Sequence, residues 1–148
     1  MPTWLWGLKT VALFDVWSFE HILAGLSIGA FVMKARGFIL VGNDPMKRLV
    51  NVRVDLLGVL FVSYLWETIE HYLETGLMGP VVTYWFAGVE MWGNRIVTDP
   101  LMVLLGYAIV ERNPRLAWPA RIFSAIWLIV HVFVFPESMY LQETLFGG

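Results

Sequence analysis

Three acids and a histidine lie on one face of an otherwise apolar helix, and this stretch constrains the fold more than any other. It reads Ser63-Tyr64-Leu65-Trp66-Glu67-Thr68-Ile69-Glu70-His71-Tyr72-Leu73-Glu74-Thr75-Gly76. At 3.6 residues per turn, Glu67, Glu70, His71 and Glu74 stand at i, i+3, i+4 and i+7, so their side chains gather on one side, with Ser63 one turn earlier. The run before them, Leu56-Leu57-Gly58-Val59-Leu60-Phe61-Val62, has no polar side chain. Ionisable groups on such a helix are costly and need partners from other helices.

Composition places that helix in a membrane. Hydrophobic residues make up 58% of the 148 and charged residues 15%, with a mean hydropathy of +0.66. A soluble domain carries about 25% charged residues. The absence of cysteine excludes disulfides, thiolate metal sites and cysteine nucleophiles, so ligands must come from His, Asp, Glu and Asn. A formal net charge of −2 offers no basic patch for nucleic acid. The N-terminus lacks the charged region and small-residue cleavage site of a signal peptide.

The expected fold is all-α, a single domain over 1–148 built as a four-transmembrane-helix bundle. Helix 1 is predicted over 10–33, with Gly25 and Gly29 at a spacing that favours close packing. Lys34 to Arg53 reads as a loop turning at Gly42-Asn43-Asp44-Pro45. Helix 2 is predicted over 54–78. Val81 to Val97, aromatic yet holding Glu90, Asn94 and Arg95, reads as an interfacial or re-entrant segment. Asp99 as N-cap and Pro100 at the first position predict helix 3 over 98–112, short of the roughly 30 Å hydrocarbon core. Helix 4 is predicted over 117–135. Cations cluster in loops 1–2 and 3–4, so the positive-inside rule predicts a multi-pass cell-membrane protein with both termini outside the cytoplasm. The acids then fall toward the outer leaflet. His21 and Glu67 both come out roughly 16 Å deep at 1.5 Å per residue.

These residue types suit a divalent metal. His21, Glu67, Glu70, His71 and His131 are the candidate ligands for zinc, iron or manganese, since bundles build such sites from facing helices. Paired histidines also admit haem. A metal-free alternative has Arg95, with Asn94 beside it and the amides at the Pro100 helix start, holding an anion such as a lipid phosphate. Glu67 with His71 would then act as an acid–base pair. The bland alternative is a satisfied network of Glu67 with His71, Glu70 with Glu74 and Arg95 with Asp99.

The order of motifs resembles the VanZ-like and YjdF-like small membrane proteins. It is carried by Phe19-Glu20-His21-Ile22-Leu23-Ala24-Gly25, by Trp66-Glu67-Thr68-Ile69-Glu70-His71, and by Asn94-Arg95-Ile96-Val97-Thr98-Asp99 with Gly106. The resemblance implies a compact helical bundle and favours His21, Glu67 and Asp99 as site residues.

Together these readings predict an enzyme acting on a lipid or isoprenoid-type substrate from an outer-leaflet cavity. Glu67 and His71 hold a metal or act as base, His21 assists, Asp99 joins them, and Arg95 orients a headgroup. The alternatives are a non-catalytic subunit of a larger membrane complex, as oligomer or with another membrane protein, and a small transporter or haem-binding protein. Transport needs polar residues in both halves, and the sequence suggests none in the cytoplasmic half.

Overall fold

The computed structural model describes residues 4–39 and 45–139, and every regular element among them is helical. Helix α1 (Trp17–Ile39) begins later and runs further than predicted. Its start is set by a reciprocal cap: Ser18 N–H donates to Asp15 Oδ1 and Asp15 N–H donates to Ser18 Oγ, both at 3.1 Å. Such a box ends the helix by satisfying donors that have no intrahelical partner. The residues before it fold back instead, with Gly7 N–H on Phe14 O and Phe14 N–H on Leu5 O.

Helix α2 (Pro45–Glu74) also departs from its predicted bounds. Proline suits the first helical turn, so Lys47, Arg48 and Arg53 are helical rather than in a long loop. The connection shrinks to residues 40–44, and the predicted turn lies outside the described residues except for Pro45. Gly76, at φ 104°, stops the helix short of Met78 in a conformation that glycine adopts without strain.

A short surface helix, α3 (Pro80–Phe86), follows, with no buried residue. From Trp92 the chain is helical again, through a π-helical turn at Asn94–Thr98 into α4 (Asp99–Arg112). This corrects the expectation of a short helix starting at Asp99. The Asp99 amide already donates to Asn94 O, so the residue is not an N-cap and the Pro100 start offers no row of free amides. Counted from Trp92, the helix is about 30 Å long. A 3₁₀ turn at Pro114–Leu116 leads into α5 (Ala117–Ile129), which passes into a second π-helical turn, Val130–Val134, and then a 3₁₀ turn at Pro136–Met139.

Helices α1 and α4 run parallel in the closest contact of the fold. Gly25 faces the Val103 backbone, Gly106 faces the backbone from Ile22 to Leu26, and Gly29 faces Tyr107 and Val110. The predicted role of Gly25 and Gly29 holds, and Gly106 completes it. Helix α5 runs antiparallel to α1, with Ser124 on Glu20 and Arg121 Nε donating to Ser27 Oγ at 2.9 Å. Helix α2 closes the bundle, and its Gly58 lies against Val32.

Sidedness is the reverse of a water-soluble domain. Leu57, Phe61 and Leu65 of α2 and Ile122, Phe123, Ile126 and Phe133 of the last helix face outward, while Asp55, Ser63, Glu67, Glu70, Glu74, Asn94, Arg95 and Asp99 are buried. Two stretches, Leu49–Glu74 and Pro114–Val134, are long and apolar enough to cross a membrane.

Candidate functional site

The acidic face of α2 meets side chains from three other segments. His21, one turn into α1, points Nε2 at Glu67 Oε1 across 3.3 Å and has Nδ1 3.4 Å from Asp99 Oδ1. Nδ1 also lies 2.9 Å from the Trp17 carbonyl oxygen. A carbonyl is acceptor only, so Nδ1 carries a proton, and Nε2 meets Glu67 either as the second N–H of an imidazolium or, in a neutral ring, through a proton on Glu67 or a cation between them. The π-helical turn presents Asn94, Arg95 and Asp99 from one short segment. Such turns rotate side chains out of α-helical register and recur at functional sites.

Two permanent cations sit among the acids. Lys9, in the segment before α1, is bonded to Glu74 and lies 3.6 Å from Glu70. Arg95 donates to Glu74 Oε2 at 2.6 Å and lies 3.3 Å from Glu90 and 3.8 Å from Glu67. Four buried carboxylates, Glu67, Glu70, Glu74 and Glu90, therefore face Lys9 and Arg95, while a fifth, Asp99, faces His21. Burial, followed by the Asp99 carboxylate, pushes the Glu90 carboxyl far above its ordinary range. Glu67 and Asp99 are only 2% and 0% exposed, and their oxygens have no well-formed hydrogen bond beyond the 3.3 and 3.4 Å contacts with His21 and the approach of Glu90 to Asp99. Unpaired buried carboxylate oxygens call for a proton or a cation.

Ligand geometry narrows where a cation would sit. His21, Glu67 and Glu70 offer atoms that all lie within 4.8 Å of one another, as do Glu67, Glu90 and Asp99, and Glu70, Glu74 and Glu90. The last trio is already engaged by Lys9 and Arg95. The first two share Glu67. Two donors about 2.0 Å from a tetrahedral zinc stand roughly 3.3 Å apart, and His21 Nε2 and Glu67 Oε1 are 3.3 Å apart. The Nδ1–H to carbonyl contact behind Nε2 is the usual support for a metal-binding histidine.

Other predicted site residues take different places. His71 faces Arg95, with Nδ1 3.1 Å from its guanidinium, and packs on Trp92. His131 packs edge-on against Trp17, with Nε2 2.9 Å from the Trp85 carbonyl oxygen. Neither joins the convergent groups found among the described residues. Asn94 donates to Asp15 Oδ2 at 3.2 Å. Arg95 is turned to Glu74 and Glu90 rather than toward an anion.

Two clefts flank Glu67. A cavity of about 360 Å³ lies between α1, α2 and α5, lined by Trp17, His21, Ala24, Ser63, Trp66 and Glu67 among others. On the other side of α2, a cleft of about 170 Å³ holds Tyr64, His71, Tyr72, Trp92 and Arg95.

Sequence reasoning missed Lys9 as a member of the cluster. It also missed the opposite end of the bundle. There Asp55 is buried, 2.9 Å from Arg36 Nε, and accepts a hydrogen bond from the Tyr107 hydroxyl at 3.3 Å. The signal was present, since Asp55 is the lone acid at the start of an apolar run.

Comparison with known protein families, with curated proteins and with solved structures finds no match.

Proposed function

We propose that this chain is a multi-pass membrane enzyme whose His21–Glu67–Glu70 group, with Asp99 behind His21, holds a divalent cation and transforms a lipid-like substrate. The carrying observation is the pairing of His21 Nε2 with Glu67 Oε1 at ligand spacing, on the wall of an apolar cavity. In this reading α1, α2, the helix from Trp92 to Arg112 and α5 are four spans, with both termini outside the cytoplasm and the cluster toward the outer leaflet. The outward apolar faces of α2 and α5 support it, as does the side-by-side closure of α1 and α4 through glycine.

The chain's own residues divide the work. His21 Nε2, Glu67 and Glu70 would hold the ion. Such an ion polarises a bound oxygen and lowers the pKa of a bound water or alcohol. Glu70, where it is not a ligand, would take the released proton. The kinship with VanZ-like and YjdF-like proteins belongs to the same proposal. It gains support from the fact that its three implied residues, His21, Glu67 and Asp99, are neighbours here.

The test is elemental analysis of protein purified in mild detergent without chelator, beside His21→Ala and Glu67→Gln. One equivalent of zinc, iron or manganese in the parent, absent from both variants with their helical content intact, is the expected result. No metal in the parent after loading and dialysis would overturn the metal reading.

A further inference from the structure

The cavity between α1, α2 and α5 goes beyond holding an ion, because its unmet polar atoms say what its occupant must bring. Its walls include Ala24, Ile28, Val62, Trp66, Val103 and Leu128. At about 360 Å³ it falls in the range of small-molecule sites. Trp66 and Leu128 are also partly exposed on the outer surface of the bundle, so the cavity is walled by residues that reach the apolar exterior.

The polar atoms on its lining are mostly acceptors without donors. Among the described residues on the lining, Glu20 Oε2 and Glu67 Oε2 are acceptors without a hydrogen bond, the Ser63 hydroxyl is unmatched both as donor and as acceptor, and Trp17 Nε1 is an unmatched donor. Glu20 and Ser63 belong to none of the possible metal groups, so an ion at His21 and Glu67 would leave them unsatisfied. Ser124 already bonds the other Glu20 oxygen. No Lys or Arg lines the cavity. Arg121 is spent on Ser27, and Arg95 lines the other cleft and is engaged by Glu74 and Glu90. With no ion at His21 and Glu67, a phosphate here would meet two carboxylates, and the single group on the lining able to carry positive charge, His21, is already paired with Glu67 and Asp99.

We infer that the cavity seats one hydrocarbon chain carrying an uncharged, hydroxyl-bearing head, a lipid alcohol of the monoacylglycerol type, and that with no ion at His21 and Glu67 it rejects phosphate-bearing lipids. Hydroxyl protons go to Glu20 and Ser63, and a hydroxyl oxygen accepts from Trp17. The chain lies along the apolar wall toward Ile28 and Val103. This rests on the enzyme reading for its consequence, since it places a hydroxyl beside Glu67, but not for its binding.

Brominated chains test it, because bromine quenches indole on contact and Trp17 and Trp66 line the cavity. The full chain in detergent is titrated with a brominated monoacylglycerol and with a brominated lysophosphatidate, with and without chelator. Saturable quenching by the alcohol, at least about tenfold tighter than by the phosphate, is expected, and it should shrink in Trp66→Phe. Glu20→Leu should weaken it about tenfold, the loss of one good hydrogen bond to a charged group. Filling the cavity with Ala24→Phe or, on the more exposed helix face, Leu128→Phe should abolish it. In the presence of chelator, equal or tighter binding of the phosphate would overturn the inference, as would quenching that neither filling variant alters. Binding that survives the chelator stands even if metal analysis fails, so the two proposals fail separately.

Discussion

Replacing Gly106 with alanine should spread α1 from α4 and disable the site without unfolding the bundle. A Cβ at Gly106 would lie 2.7 Å from Leu26 N and 2.8 Å from the Gly25 carbonyl carbon, and closer still to the Ile22 carbonyl oxygen. All are backbone atoms of α1, so no side chain can swing away. Carbon contacts settle at about 3.5–4.0 Å, so the axes must part by roughly 1 Å. Overpacking of this kind costs about 1–3 kcal/mol, against which alanine's helix preference over glycine returns under about 1 kcal/mol. His21 lies one turn before Gly25 and rides on α1, while Asp99 rides on α4. Their 3.4 Å approach would lengthen by a similar amount. A 1 Å misplacement can cost a site about a hundredfold. The assay is thermal unfolding in detergent with metal content read on the same sample. Gly37→Ala is the control, since a Cβ there meets nothing within 4 Å. If Gly106→Ala matched Gly37→Ala in both stability and metal content, the close α1–α4 approach would not be what positions the site.

Two further outcomes follow from groups outside that contact. Asp55→Ala strips Arg36 of its counter-ion and Tyr107 of its acceptor; because Arg36 is partly exposed and can reach water, the loss should be about 1–3 kcal/mol in thermal unfolding, with metal content unchanged. Asp15, which precedes α1, is pushed up from its ordinary range by burial, against the opposing pull of Ser18, His21 and Lys9. The folded chain therefore keeps a proton that the unfolded chain gives up above about pH 3.9. The stability this confers is full below that value and is lost as pH rises through the folded pKa. Asp15→Asn should flatten that slope in unfolding midpoints taken from pH 4 to pH 7, and parallel curves for parent and variant would refute the reasoning.

What the sequence made legible was periodicity and cost. The i, i+3, i+4, i+7 face of α2 needs only helical geometry, and the structure buries Glu67, Glu70 and Glu74 on it. Gly25 and Gly29 announced a close helix contact, but not its partner, because a small-residue spacing does not name the opposing helix. Boundaries were less legible. Asp15 and Ser18 form a capping box whose pattern is visible in the chain, yet Thr10 to Val16 is apolar enough to pass for helix. The start of the third helix was hidden for a subtler reason. Asp99-Pro100 is a strong start signal, and a π-helical turn upstream of it, which lets Asn94 and Arg95 face the core, has no sequence signature of its own. His71 and Glu67 are one turn apart and read as a ligand pair, but Arg95 comes between that expectation and the fold by taking the His71 nitrogen.

The placement of the cations explains why one acidic cluster can have both a structural and a chemical half. Lys9 and Arg95 both converge on Glu74. Glu70 has Lys9 at 3.6 Å and Glu90 has Arg95 at 3.3 Å. Of Lys9 and Arg95, Glu67 meets only Arg95, at a distant 3.8 Å, and it shares with Asp99 the single cationisable ring of His21 among the described residues. Compensation thus fades from Glu74 toward Glu67 and Asp99. A network serving only to fix helix register would gain by placing its cations where burial is most costly, since unpaired buried charge is the expensive case. Here the least compensated carboxylates are instead the ones beside His21, and Glu67 lines both flanking cavities. That distribution leaves room for a positive charge that the chain does not itself supply, where a substrate could reach it.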